Sequence, residues 1–370
     1  WITPARDMSV FFCYVYLIVD CVIQLSGIAS IYATFFYRWE YLSWIMTGLL
    51  AVMMALVLIL VRPFRPQMYI PLLGIDWLGA ALWTVVMLCF TFVCIYGNFY
   101  DWWEAREICG ATFLGLACLC LNLWRASFLH HPYISFTALT NSNVVRATTV
   151  YLVFFTLLAT EHVFEHTYAG HILGYDDTNI IDLNWSVLVG ILLGCGFTYA
   201  TFARKKWRYK TMTAIAFCLA ALYLAYFYFF IDYAVEKEML FIPLCLRGAA
   251  SVMISIVFLT SIKESGLNFF TDFPKALTVN GFTGAVMGAT VGPAIVGEWF
   301  NHAIAKNMSL LGSVVTGTNP DVAHVALPGL MNMFQQQAMI VSMKEIFGWL
   351  LIAALVSLVL VCVVHDRERS

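Results

Sequence analysis

The sequence predicts an all-α polytopic membrane protein, and three observations carry that prediction. Of 370 residues, 62% are hydrophobic and only 11% charged, against about 25% charged in an ordinary soluble domain. With a mean hydropathy of +0.82, a soluble enzyme could not keep such a surface dispersed in water. Apolar runs that meet the roughly 20 residues a spanning helix needs recur along the whole chain. Basic residues collect in alternate connections between those runs. The runs are too long and too numerous for barrel strands, which leaves a bundle of helices whose backbone polar groups are satisfied internally.

Taken in order, about ten runs qualify by that length criterion. They cover Val10–Phe36, Tyr41–Val61, Trp77–Gly97, Ile108–Phe128, Ala147–Leu173, Leu183–Phe202, Thr211–Ile231, Leu240–Ile262, Ala276–Phe300 and Met343–Val364. The joints carry turn chemistry, as in Arg62-Pro63-Phe64-Arg65-Pro66, His131-Pro132 and Thr318-Asn319-Pro320-Asp321. Arg62, Arg65, Arg125, Arg146, the run Arg204-Lys205-Lys206-Trp207-Arg208, Lys263 and Arg367 fall on one side. Asp101, Asp176, Asp177, Asp182 and Glu236 fall on the other. Basic loops stay inside, so the first side is expected to be cytoplasmic and to hold the C-terminus. Asn301–Ser342 is expected as a long outer loop, partly helical or re-entrant. Trp1-Ile2-Thr3-Pro4 offers neither a start Met nor a basic leader, so the chain opens as if cut from something longer.

Composition also excludes functions. A net charge of −2 offers no basic face for a nucleic-acid partner. The 11 cysteines lie within apolar runs without a CxxC pair, which reads as inert thiols rather than a disulfide framework. A membrane enzyme of the histidine-box type is the metal alternative. The eight histidines are scattered over both sides, so no enzyme activity, metal or other cofactor is expected.

Short signatures recur in order along these runs. Ile75-Asp76-Trp77-Leu78-Gly79 opens the third run, and Gly97 with Asp101-Trp102-Trp103 closes it. His131-Pro132-Tyr133-Ile134 precedes the fifth run, and Gln336-Gln337-Ala338-Met339 with Glu345-Ile346-Phe347 opens the last. Together they resemble the fourteen-span drug:proton antiporter branch of the major facilitator superfamily, in its Bacteroidetes form, with the first four spans absent. The resemblance implies that residues 1–66 end an N-terminal bundle and 67–130 form a two-helix insert. Residues 131–370 would form a C-terminal six-helix bundle with its long outer loop at 301–342. It further implies a transporter of the bacterial inner membrane that exports drug-like or amphiphilic molecules against protons, by alternating access. Its partners would be the solute, protons, the bilayer, and a periplasmic adaptor with an outer-membrane channel. Where the family carries a glycine-and-proline motif, this chain reads Gln24-Leu25-Ser26-Gly27-Ile28-Ala29-Ser30, without proline. A transport-incompetent fragment or a non-transporting sensor is the alternative.

Charges deep in a span point to chemistry, because each costs about 2.5–3.5 kcal/mol at a helix centre. Asp20 lies near the middle of the first run, as a proton carrier or as a neutral carboxyl bonded to another helix. Thr160-Glu161-His162-Val163-Phe164-Glu165-His166 stacks Glu161 over Glu165 and His162 over His166 at i, i+4. An acid/imidazole relay, a metal site on the two histidines and a wetted polar patch all fit that spacing. Arg247 is the one basic residue far inside a run, at about the depth of Glu161 by helix rise. A Glu161–Arg247 pair would make both charges tolerable; an Arg bonded to carbonyls of a bent helix is the alternative. Gly284, Gly288 and Gly292 form a small-residue stripe before Pro293, expected to serve helix packing or a hinge. Tyr223, Tyr226, Phe227 and Tyr228 are read as core or lipid contacts, with a face toward a drug-like ligand as the alternative.

Overall fold

The structure is a computed structural model that describes residues 7–60, 76–129, 133, 142–161, 165, 167–233, 235–264, 290–314 and 327–363. Regular structure among the described residues is helical throughout, without a strand. The helices are α1 (Met8–Phe36), α2 (Trp39–Leu60), α3 (Trp77–Tyr96), α4 (Arg106–Phe128) and α5 (Ser142–Leu158). They continue with α6 (Asp177–Thr198), α7 (Tyr209–Phe230), α8 (Phe241–Glu264), α9 (Gly292–Val314) and α10 (Leu327–Val363). Among the described residues, seven helices are long and apolar enough to cross a membrane, built on α1, α3, α4, α6, α7, α8 and α10. The fold is thus all-α and of multi-pass membrane type.

The difference from about ten expected spans has local causes. The run from Ala147 to Leu173 is not one α-helix: α5 stops at Leu158, and Thr167–Ile172 is wound in wider π-type turns. There the Leu173 N–H donates to the Tyr168 carbonyl, five residues back, at 3.0 Å. α2 covers Trp39–Leu60, the place of the second expected run. Most of the run from Ala276 lies outside the described residues. The expected outer loop at 301–342 is helical over residues 301–314 and again over 327–342, because α9 runs on past Asn301 and α10 starts well before Met343.

α8 is the hub, with α1, α5, α6 and α7 packed around it, while α10 packs on α7 and α9. Its inward positions, from Leu244 through Ala250 and Met253 to Ile262, are almost wholly buried. The closest crossing is with α6. A Cβ added to Gly194 would stand 2.6 Å from the Ala249 Cα, and one on Gly248 2.5 Å from the Val187 carbonyl oxygen. Gly190 likewise presses on the Cys245 carbonyl. Three glycines therefore let two backbones meet where any side chain would hold them apart. In the stripe expected to do this work, Gly284 and Gly288 lie outside the described residues. Gly292 is buried at the start of α9, and Pro293 follows in its first turn, just after wide turns at residues 290–291.

α3 and α4 pack chiefly on each other. Asp76 caps α3, accepting from the Gly79 N–H at 2.8 Å, from Arg125 of α4 and from the Tyr133 N–H at 3.3 Å. Burial works against that carboxylate, but the three donors outweigh it and hold its carboxyl below the ordinary range. At one end of the central bundle Lys206 pairs with Asp7, which caps α1; at the other Lys237 pairs with Asp182.

The glycine crossing makes a direct prediction. Gly194→Ala should destabilise the protein by about 1–3 kcal/mol through overpacking against the α8 backbone. Gly196→Ala, where nothing lies within 4 Å of the added carbon, should not lower thermal stability in detergent. Equal behaviour of the two variants would refute the crossing.

Candidate functional site: a buried arginine between two glutamates

Arg247 sits in the first third of α8, about 9 Å along the helix from Phe241 at about 1.5 Å per residue. Gly248 beside it faces the α6 backbone. Successive helical residues point about 100° apart, which turns Arg247 away from α6. Its side chain is 4% exposed, and it is held by two carboxylates. Its Nη2 lies 3.2 Å from Glu161 Oε1, and its Nη1 donates to Glu165 Oε2. The forked guanidinium can serve two acceptors at once, which an ammonium cannot do with the same geometry.

The second oxygen of Glu165 has its own donor. Tyr223 of α7, with no exposed surface, donates its hydroxyl to Glu165 Oε1 at 2.8 Å. Thr160, equally buried, places its hydroxyl 3.5 Å from the Tyr223 oxygen. Phe227 and Phe347 pack edge-on against the Tyr223 ring, with centroids at 5.1 and 6.4 Å. The site thus draws on α7, α8 and the segment after α5, with α10 closing over the aromatic side. Two carboxylates against one guanidinium leave a charge of −1 when both are ionised. Among the described residues Glu161 has the weaker hold, with one contact and a side chain 34% exposed, against 21% for Glu165.

Of the residues singled out in the sequence, Glu161, Glu165 and Arg247 come together here. The sequence reading sets Glu165 toward the outer mouth as a relay to Glu161, whereas the structure puts it on the same arginine. His162 and His166 lie outside the described residues. Asp20 is elsewhere, half-buried in the α1 face that packs on α6 and α8. Among the described residues it makes no hydrogen bond or ion pair. Near it on the same level are Tyr151, stacked on Phe258 at 4.2 Å, and the Ser255 hydroxyl, 3.5 Å from the Tyr151 oxygen. No group of three or more metal-ligating side chains is assembled among the described residues.

Sequence reasoning misses Tyr223, Thr160 and the α6 glycines. Val189-Gly190-Ile191-Leu192-Leu193-Gly194 carries a plain G-x-x-x-G signal. A tyrosine inside a span needs a partner for its hydroxyl, which is the signal for Tyr223. No family model matches the chain, and no curated protein matches it in sequence.

Removing the arginine should be costly, because two carboxylates then lose their shared counter-charge. Arg247→Ala should destabilise by about 3–5 kcal/mol, read as lost folded yield and a lower melting temperature in detergent. Arg247→Lys should recover only part, since a single ammonium cannot bridge both acids. Wild-type stability of Arg247→Ala would remove the ion triad from any structural role.

Proposed function

We propose that the protein is a secondary active transporter of the bacterial inner membrane that exchanges protons for drug-like or amphiphilic solutes. The observation that carries this reading is Arg247, buried at membrane depth and bridged to Glu161 and Glu165. Intramembrane ion clusters of this kind mark ion and substrate paths by default. The ordered signatures from Asp76 to Phe347, which resemble fourteen-span drug:proton antiporters, supply the reaction class. In that scheme α1 and α2 belong to one bundle, α3 and α4 to an insert, and α5 to α10 to the second bundle. The self-contained packing of α3 on α4 supports the division.

The chemistry is an exchange of counter-charges. With Glu161 against Arg247, each ion compensates the other. When solute or a rocking of the bundles separates them, the carboxylate loses its compensation and takes up a proton from whichever side is open. Return of the guanidinium expels that proton to the opposite side. Asp20, on the α1 face that meets α6 and α8, is the second acid available to the path.

The test is transport by the native full-length protein in proteoliposomes, with ethidium as probe and an imposed pH gradient. Wild type should drive ethidium against its own gradient while protons run down theirs. Glu161→Gln should abolish the pH-driven component and leave ethidium binding detectable. If ethidium and a panel of neutral amphiphiles stay put in wild type, or if Glu161→Gln transports normally, the reading fails.

A further inference from the structure

Glu161 and Glu165 share one guanidinium yet are held unequally, and the inequality has a single source. Glu165 is saturated: Arg247 donates to one carboxylate oxygen and Tyr223 to the other. Glu161 has, among the described residues, one contact at 3.2 Å, and it has the more exposed side chain. Tyr223 cannot turn its hydroxyl to water, since it has no exposed surface and Phe227 and Phe347 wall its ring. Because the Tyr223 proton is committed to Glu165, the Thr160 hydroxyl is the group left to donate to the Tyr223 oxygen.

We propose that Tyr223 is a positioning residue that fixes Glu165 as the standing counter-ion of Arg247, leaving Glu161 as the carboxylate that exchanges its proton. This rests on the transport reading for its purpose and on geometry for its content. A charge-assisted hydrogen bond from a buried phenol is among the stronger neutral-donor bonds to a carboxylate. Breaking it would leave a desolvated phenol without an acceptor. Glu165 is therefore fixed in place by two donors, and Glu161 by one among the described residues. Of the charged and titratable groups facing the two acids among the described residues, α8 supplies Arg247 and α7 supplies Tyr223. On α10, Lys344 is half-buried and forms no ion pair among the described residues, and Glu345 is paired with Lys306 at 2.7 Å. No second cation in that set takes over Glu161 when Arg247 is drawn to Glu165. The role is one of position: Tyr223 touches Glu165 and acts on Glu161 only by deciding which acid keeps the arginine.

Infrared difference spectroscopy of the purified full chain in lipid vesicles, titrated with acid, reads this directly through the carbonyl stretch of neutral carboxylic acids. An Asp20→Asn background removes the half-buried acid that makes no hydrogen bond or ion pair among the described residues. The bands of the remaining carboxyls, Asp7, Asp76, Glu298 and Glu345 among them, cancel when each variant is compared with that background. In that background one such band should grow on acidification and be lost in Glu161→Gln. Tyr223→Phe, which keeps the ring and deletes the hydroxyl, should add a second band that Glu165→Gln removes. Loss of that band in Glu165→Gln but not in Glu161→Gln would reverse the roles and overturn the proposal. An unchanged spectrum in Tyr223→Phe would overturn it as well. The glutamine variants alone decide the assignment if the phenylalanine variant does not fold. No solute is needed, so this pattern in a protein that moves no ethidium would sink the transport reading and leave the division of roles standing.

Discussion

A guanidinium enclosed by apolar helices is tolerable only while opposite charge stays within contact, and Arg247 imposes that condition on its surroundings. Lipid offers neither water nor a high dielectric to screen it, so its partners must come from other helices. Glu161 and Glu165 come from the segment after α5, and Tyr223 comes from α7 to complete the coordination of Glu165. The segment after α5 is thus tied directly to one atom group in α8, and α7 is tied to it through Glu165. The glycine crossing of α6 on α8 sits immediately beside it, at Gly248 and Val187. Close backbone contact on one face of α8 and ion pairing on another are two sides of the same placement.

The change of winding after Leu158 belongs to the same constraint. A continuous α-helix from Ser142 onward would be the default for so apolar a run. The chain instead leaves α geometry where its acids meet the arginine: Glu161, Glu165 and Thr167–Ile172 are wound in wide π-type turns. Such turns leave some carbonyls with longer or displaced partners, and they recur where helices present functional groups. Tyr168 and Tyr175 then anchor the segment at its far end, donating to the carbonyls of Asp232 and Val235 at 2.7 and 3.1 Å.

The membrane class and the helix order were legible because hydropathy and loop charge act locally and leave a periodic trace. Arg247 and Glu161 were legible as a pair because each is costly alone at matching depth. That Glu165 shares the same arginine is not legible, because helix rise gives depth but not which acceptors a donor holds. Tyr223 could not be told from its aromatic neighbours in Tyr223-Leu224-Ala225-Tyr226-Phe227-Tyr228, since facing is decided by α8 and α10 and not by the run itself. The change of winding in the fifth run is not legible from hydropathy, because Glu161-His162 and Glu165-His166 leave enough apolar residues around them for the run to meet the span length. Of the stripe Gly284 to Gly292, the first two glycines lie outside the described residues; among the described residues a tight contact forms at Gly190, Gly194 and Gly248, where α8 is also small at Ala249 and Ala250.

The central claim is that Arg247 and Glu165 are energetically one unit. A double-mutant cycle with Arg247→Gln and Glu165→Gln, followed by reversible unfolding in mixed micelles, measures that unity without reference to any solute. A favourable coupling toward the upper part of the range of about 0.5–3 kcal/mol seen for groups in one network is expected. Strict additivity of the two substitutions would contradict it, and with it the placement of the arginine on which the rest depends.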